Sequence, residues 1–363
     1  MKQWIPIALC WVALVPPILR AQSATADATP TISTRSTLVL VPALVRDKAG
    51  QLVYTLKAGD FSLTDDGVPQ PVHLEEDTGG EPLALVVLIE AGGDGVRELG
   101  KYGALAGMLE SVVGAVRHRV AVVAFDAHPE LEEDFTEDVG AAAEIIQQVA
   151  DAEAGDKGGA ILDALAYSID LLRKQPPEYR RAVLMLTETR DRGSGVSLET
   201  ALRAVSDTNT SVYAIGFSSA KSDVAHEASK LSSAQPGPAG GCMARDHTDD
   251  PTTSDNPFIQ AWDCLSQLAP PLRLVKMAAF ATEGLRRNVP ETVARLTGGE
   301  YFKLGNTKSF ERTLQTISNH IPNRYVLSFQ PQTPHPGLHL ITLELKEYPQ
   351  LKVTARTSYW AAP

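Results

Sequence analysis

Apolar and polar positions follow two different rhythms along this chain. Between residues 36 and 74 the apolar stretches are short and separated by turn residues. Ser36–Val45 is β-branched and apolar, Asp47–Gly50 reads as a turn, and Leu52–Leu56 as a second strand. Phe61–Thr64 is a third strand. It is turned by Asp65-Asp66-Gly67, a sequence that tolerates positive φ. Val68–Leu74 returns as a fourth, and its Pro69 and Pro71 place it at a sheet edge. From residue 83 the rhythm changes. Leu83–Ile89 is an unbroken apolar run, the pattern of a strand buried on both faces. Leu99, Tyr102, Leu105, Leu109, Val112 and Val116 then recur at three and four, which predicts a helix.

The alternation continues. Val120–Phe125, Ala182–Leu186 and Val212–Phe217 are predicted strands. Val139–Val149 is a predicted helix. Ile161, Leu165, Ile169 and Leu172 mark another, stopped by Pro176-Pro177. Ser197 is placed to cap a helix carrying Leu198, Leu202 and Val205, with Glu199 at the positive end of its dipole. A β-α-β-α order of this kind favours a parallel sheet covered by helices. Residues 219–275 break the rhythm and read as an irregular insertion rich in Ser, Pro, Gly and Asp. Then follow a helix over Val289–Leu296, a strand over Glu300–Leu304 and a helix over Phe310–Ile321. Three strands close the chain: Tyr325–Phe329, Leu338–Leu345 and Leu351–Ser358. No internal repeat is evident.

Composition narrows the function classes. The 363 residues allow about two domains. A net charge of −11 argues against non-specific binding to nucleic acid or to anionic lipid. At the N-terminus Lys2 precedes an apolar run from Trp4 to Leu19, and Arg20-Ala21-Gln22 offers a small residue for cleavage. Residues 1–21 read as a secretory signal peptide, with an uncleaved anchor as the alternative, and 22–34 as a flexible leader. After cleavage no membrane insertion is expected. Two cysteines remain beyond the leader, Cys242 and Cys264, and an even pair in an exported chain reads as a disulfide. A zinc site using Cys242, His247 and Cys264 is the rival reading. It lacks a C-x-x-C pair and a fourth ligand.

Candidate chemistry belongs beyond the carboxyl ends of the parallel strands. Three segments that reach that edge carry notable residues: Leu88–Asp94, Gly158–Asp163 and Met185–Asp191. The layout resembles a von Willebrand factor A (vWA) domain, and specifically the secreted vWA-related proteins of Acidobacteria. Val45–Gly50, Asp60-Phe61, Asp65–Gln70 and Pro82-Leu83 resemble that family's lead-in. Leu162–Leu165, Thr297–Phe302 and Arg324–Leu327 resemble its later landmarks. The resemblance implies a three-layer α/β domain with a mainly parallel sheet over residues 81–321. The flanking segments, residues 35–80 and 322–363, are expected to pack together as one β-sandwich-like unit, because each alone has few strands and little core.

Proteins of this type often hold Mg²⁺ through Asp-x-Ser-x-Ser, a Thr and a later Asp. Here the first motif is Glu90-Ala91-Gly92-Gly93-Asp94, Ala160 stands at the Thr position and Glu188 at the late Asp. The hydroxyl ligands are missing. Glu90, Asp94 and Glu188 remain as an acidic cluster for Mg²⁺, Mn²⁺ or Ca²⁺, or as carboxylates neutralised by Lys157 or Arg190. A metal-free, degenerate site is the expectation, with no other cofactor.

Other features carry less. Asp126–Asp138 holds seven acids in thirteen residues and reads as a solvated loop. His335 and His339 bracket a Pro-Gly turn and read as turn or strand-edge residues rather than metal ligands. Tyr325, Phe329, Tyr348, Tyr359 and Trp360 read as β-core or edge aromatics. Gly92–Gly95 fits no phosphate-loop pattern, and there is no G-x-S-x-G, H-E-x-x-H or C-x-x-C. The expected function is a non-enzymatic protein-binding or adhesion module, secreted, periplasmic or in the cell envelope, with an unidentified protein partner. The alternatives are a metal-independent subunit of a secreted assembly and, with less in its favour, a metal-dependent hydrolase.

Overall fold

Four apolar runs of this chain lie side by side because none has a polar face to turn to water. The structure, a computed structural model, describes residues 38–75, 81–92, 105–152, 158–217, 288–332 and 335–361. The signal peptide and leader, Asp94, Lys157, the 219–275 insertion and both Cys242 and Cys264 lie outside the described residues. The central sheet has six strands: β5 (Leu83–Glu90), β6 (His118–Phe125), β7 (Pro129–Thr136), β8 (Arg180–Glu188), β9 (Ser211–Phe217) and β10 (Tyr301–Lys303). Their order is β10-β9-β8-β5-β6-β7, with every pair parallel except β6–β7. Every residue of β5 is buried.

Helices cover both faces. α1 (Leu105–Val113), α2 (Val139–Asp151) and α6 (Thr307–His320) pack Leu109, Ile146 and Leu314 onto the odd-numbered β5 residues Leu85, Val87 and Ile89. α3 (Ile161–Arg173), α4 (Leu198–Asp207) and α5 (Val289–Leu296) pack Leu165, Val205 and Val293 onto Ala84, Val86 and Leu88. This period-two division of one strand between two cores makes the three layers. The helices start where short polar side chains can accept free backbone N–H groups. Asp138 caps α2, Ser197 α4, Asn288 α5 and Asn306 α6, each accepting from the residue three positions on.

The remaining strands form two four-stranded antiparallel sheets. One runs β13-β1-β11-β4 and the other β14-β12-β2-β3. From the N-terminal side come β1 (Val39–Arg46), β2 (Phe61–Asp65), β3 (Val68–Gln70) and β4 (His73–Leu74). From the C-terminal side come β11 (Tyr325–Phe329), β12 (Gly337–Leu345), β13 (Lys352–Ala355) and β14 (Ser358–Ala361). Each sheet therefore mixes both segments. Val41, Phe61, Leu63, Leu327, Phe329, Ile341 and Tyr359 share one core between them.

Several expected elements differ. Val68–Leu74 and Leu351–Ser358 are each two strands, because the chain leaves one sheet for the other after Gln70 and again at Arg356-Thr357. Leu52–Leu56 forms only a bridge between Leu52 and Arg46. The Tyr325 hydroxyl takes over its backbone groups, accepting from Leu56 N–H at 3.1 Å and donating to Val53 C=O at 2.8 Å. The acidic stretch expected as a loop contains β7. Its carboxylates lie on the sheet's outer strand, where charge discourages pairing with another chain.

The two parts are joined through buried polar groups. Glu300, just before β10, holds His320 Nδ1 at 2.7 Å and Arg324 Nη2 at 3.1 Å with one oxygen. Arg324 also donates to the Gly298 carbonyl and lies over the Tyr213 ring, 5.1 Å from its centroid. Burial pushes the Glu300 carboxyl up, but the hydrogen bond to His320 and the charge of Arg324 outweigh it and hold the carboxyl below its usual pKa. On the other side Arg356 reaches Asn209 at 3.1 Å and the Trp360 N–H donates to Ser206 at 2.8 Å.

Gly299 marks the closest approach in this region, because an added Cβ would fall on the Val212 carbonyl of β9. Gly299→Ala is therefore expected to destabilise the fold by roughly 3 kcal/mol in denaturant titration, through backbone displacement. A loss too small to measure would show that this turn yields freely.

Candidate functional site

Strand order fixes where a site can form. After β5 the chain moves to β6 on one side, and β8 is laid down on the other side of β5. The loops leaving β5 and β8 therefore part from each other, which opens a crevice at their carboxyl ends. Glu90 is the last residue of β5 and Glu188 the last of β8. The structure brings these two sequence-predicted residues together.

Glu90 is fully buried. Its Oε2 accepts from the Thr187 hydroxyl at 2.8 Å and from the Glu188 backbone N–H at 2.6 Å. Its Oε1 faces Arg192 Nη2 at 3.4 Å, and the same nitrogen donates to Glu188 Oε2 at 2.7 Å. One guanidinium thus bridges two buried carboxylates. Neutralisation had been expected from Lys157 or Arg190. Lys157 is outside the described residues, Arg190 is exposed, and Arg192 makes the ion pairs.

Arg192 is aimed by its backbone. Gly159 and Arg192 exchange both N–H···O bonds, at 3.2 and 2.7 Å, so the loop before α3 is stitched to the loop after β8. A Cβ at Gly159 would come 2.9 Å from Glu90 Oε1 and 3.4 Å from Arg192 Nε, so a larger residue here would have to push the Glu90 carboxylate aside. Gly158 similarly permits contact with the Ala127 backbone. Ala160, at the position where the resemblance implies a threonine ligand, is buried and offers no oxygen from its side chain. Its N–H donates to Asp126 C=O at 2.8 Å.

The same loop caps α3 from outside. Leu162 N–H lies 3.1 Å from both Asp191 Oδ1 and the Ser194 hydroxyl oxygen, and the Ser194 hydroxyl donates to Asp191. In return Asp163 accepts from the N–H groups of Gly195 at 3.0 Å and Val196 at 2.7 Å. The 189–196 loop is therefore held rigidly over the strand ends. Sequence reasoning placed Thr187 and Asp191 in a candidate segment without giving them a role, and missed Arg192 and Ser194. The available signal was the four-residue spacing of Glu188 and Arg192. It did not separate Arg192 from Arg190.

The described groups do not suit a hard divalent cation. Such an ion prefers an oxygen-only shell. A cation between Glu90 and Glu188 would meet the guanidinium that already lies between them, and like charges at this range repel. Gly92 and Ala160 supply no side-chain oxygen.

Burial, reinforced by the neighbouring Glu188 charge, pushes the Glu90 carboxyl up to about 7, against the opposing hydrogen bonds and Arg192. A carboxyl raised in this way stabilises the fold while protonated. Its contribution is complete below the ordinary glutamate range and is lost as pH rises through about 7. The stability difference between the natural chain and Glu90→Gln is expected to fall, on the order of 3 kcal/mol, between about pH 4.5 and above pH 7. Urea titrations across that range measure it. A constant difference would mean that Glu90 titrates normally.

No curated protein matches the sequence. Among solved structures, an aerotolerance-related membrane protein from Bacteroides fragilis, carrying multiple mutations to serine, is 15% identical. It has a TM-score of 0.37 and is matched over 66% of this chain and 100% of its own. Proximal thread matrix protein 1 from the mussel byssus is 11% identical, with a TM-score of 0.41, over 76% of this chain and 51% of its own. The conserved hypothetical protein BatB from Bacteroides thetaiotaomicron is 14% identical, with a TM-score of 0.35, over 67% of this chain and 97% of its own. Residues 103–247 match the family model of the von Willebrand factor type A domain, and the helix-covered, mostly parallel sheet described above is an α/β fold of that type.

Proposed function

We propose that this chain is an exported, non-enzymatic protein-interaction module of the vWA type, which contacts its partner with the strand-end face and does so without a metal ion. The observation that carries this reading is the Arg192 bridge. The carboxylates that would hold a cation are joined by the protein's own positive charge, at 2.7 and 3.4 Å. The 189–196 loop that delivers Arg192 is pinned at both ends, which favours a preformed contact surface over one assembled by an ion.

Export to the cell envelope or beyond rests on the leader pattern of residues 1–21, in the manner of the secreted vWA-related proteins of Acidobacteria. Among the described residues no helix is long and apolar enough to cross a membrane. The negative charge turns the partner search toward protein and away from nucleic acid. No catalytic step is assigned to the strand-end groups.

Two measurements test the reading. In thermal unfolding the full chain is expected to melt at the same temperature in EDTA and in millimolar Mg²⁺ or Ca²⁺, since an ion bound at a hundred times its Kd would add about 2.7 kcal/mol. Arg192→Ala, which leaves Glu90 buried beside Glu188, is expected to cost about 1–3 kcal/mol. That is less than a fully buried pair, because Arg192 is 42% exposed. In partner capture from envelope extract, binding should persist in EDTA and be lost in Arg192→Glu. Capture that needs Mg²⁺ and survives Arg192→Glu would contradict the proposal.

A further inference from the structure

The β unit holds a second cluster of ionisable groups, away from the strand ends. Asp66 and Gly67 form the β2–β3 turn at φ of 49° and 82°. Asp66 is fastened to β12 through both its backbone and one oxygen. Its N–H donates to Leu340 C=O at 2.8 Å, and its Oδ1 accepts from Leu340 N–H at 2.9 Å. That leaves Oδ2 turned inward. It is buried, 3.0 Å from His339 Nδ1 and 3.3 Å from His335 Nε2, without the alignment of a hydrogen bond to either.

His339 was expected at a turn or strand edge. It lies inside β12, pairs opposite Tyr359 and is 1% exposed. Its ring is stacked between His335, at 4.0 Å, and Tyr359, at 4.6 Å. Its Nε2 contacts the His335 carbonyl at 2.7 Å. Its Nδ1 also faces Asp65 at 3.2 Å, and the other Asp65 oxygen accepts from the Tyr359 hydroxyl at 2.8 Å.

We propose that Asp66, His335 and His339 form a binding site for a divalent transition-metal ion of the Zn²⁺ class. Two imidazole nitrogens and one carboxylate oxygen suit such an ion better than Mg²⁺ or Ca²⁺. The three donor atoms lie within 4.8 Å of one another. The two Asp66 separations, 3.0 and 3.3 Å, are close to the distance of about 3.3 Å between ligands in a tetrahedron of bonds near 2.0–2.1 Å.

Tautomer control is also in place. A ligating histidine commonly gives its other N–H to a carbonyl. The contact of His339 Nε2 with the His335 carbonyl leaves Nδ1 as the metal donor. Asp65, which accepts from the Tyr359 hydroxyl, faces the same Nδ1 at 3.2 Å and adds a second carboxylate beside the donor atom. Without an ion, a proton on Nδ1 is held toward Asp65. The dication takes its place, the Nδ1 lone pair forms the new bond, and the proton leaves to solvent. His335 is 55% exposed, so rotation about its side-chain torsions brings Nε2 onto the ion from its stacked position. Water completes the coordination. The site uses none of the strand-end residues, so it stands or falls apart from the interaction proposal.

Isothermal titration of the full chain with Zn²⁺, after chelation and desalting, tests it. One equivalent is expected to bind. His335→Ala removes an exposed ligand, and Asp66→Asn keeps a residue type that tolerates positive φ. Each should weaken binding roughly tenfold or more while circular dichroism stays unchanged. A Cys242→Ser, Cys264→Ser double variant should bind as the natural chain does. Absence of binding would overturn the proposal. So would binding that survives both ligand variants, or binding lost only with the cysteines.

Discussion

A guanidinium held between two buried carboxylates is the constraint on which the rest of the strand-end face depends. Ending β5 and β8 on Glu90 and Glu188 places two acids side by side in the interior, where unscreened repulsion would separate the strand ends. Arg192 offsets that repulsion from a backbone paired with Gly159, whose missing Cβ leaves room for Glu90 Oε1. The loop that brings Arg192 is in turn fixed by Asp191, Ser194 and Asp163 at the start of α3. Three loops from three parts of the sequence are thus joined at one charge, and the face they present is set before any partner arrives.

The β unit obeys a different constraint. Its two sheets are each completed by strands from both ends of the described chain, so neither sheet is complete without both segments. Glu300 sits where the chain passes from the central sheet back to that unit. Its contacts with His320 and Arg324 tie β10, α6 and β11 into one buried network. Arg356 and Trp360 do the same from the side of α4. The two parts are thus joined at these points by polar contacts of specific geometry.

Much of this was legible in the sequence, for identifiable reasons. The unbroken run at residues 83–89 and the periodic residues of α3 named their elements correctly. Strand β11 and helix α5 came out with the same bounds, because Pro, Asn and Thr punctuate them sharply. The meeting of Glu90 and Glu188 followed from strand order and a family resemblance. Arg192 did not, because in an irregular loop no periodicity says which of two nearby arginines points inward. β7 was hidden by its acids, which lower strand propensity but sit comfortably on an outer strand. His339 was placed at the start of the right strand, but its burial was not legible, because it depends on Asp65, Asp66 and Tyr359, far off in sequence. Sheet switching after Gln70 left only the prolines as a trace.

Anomalous diffraction from crystals of the protein grown with Mn²⁺ bears most directly on the central claim. The account predicts no manganese peak between Glu90 and Glu188, with the Arg192 guanidinium in density between the two carboxylates. A manganese peak at that point, with Arg192 turned out to solvent, would contradict it.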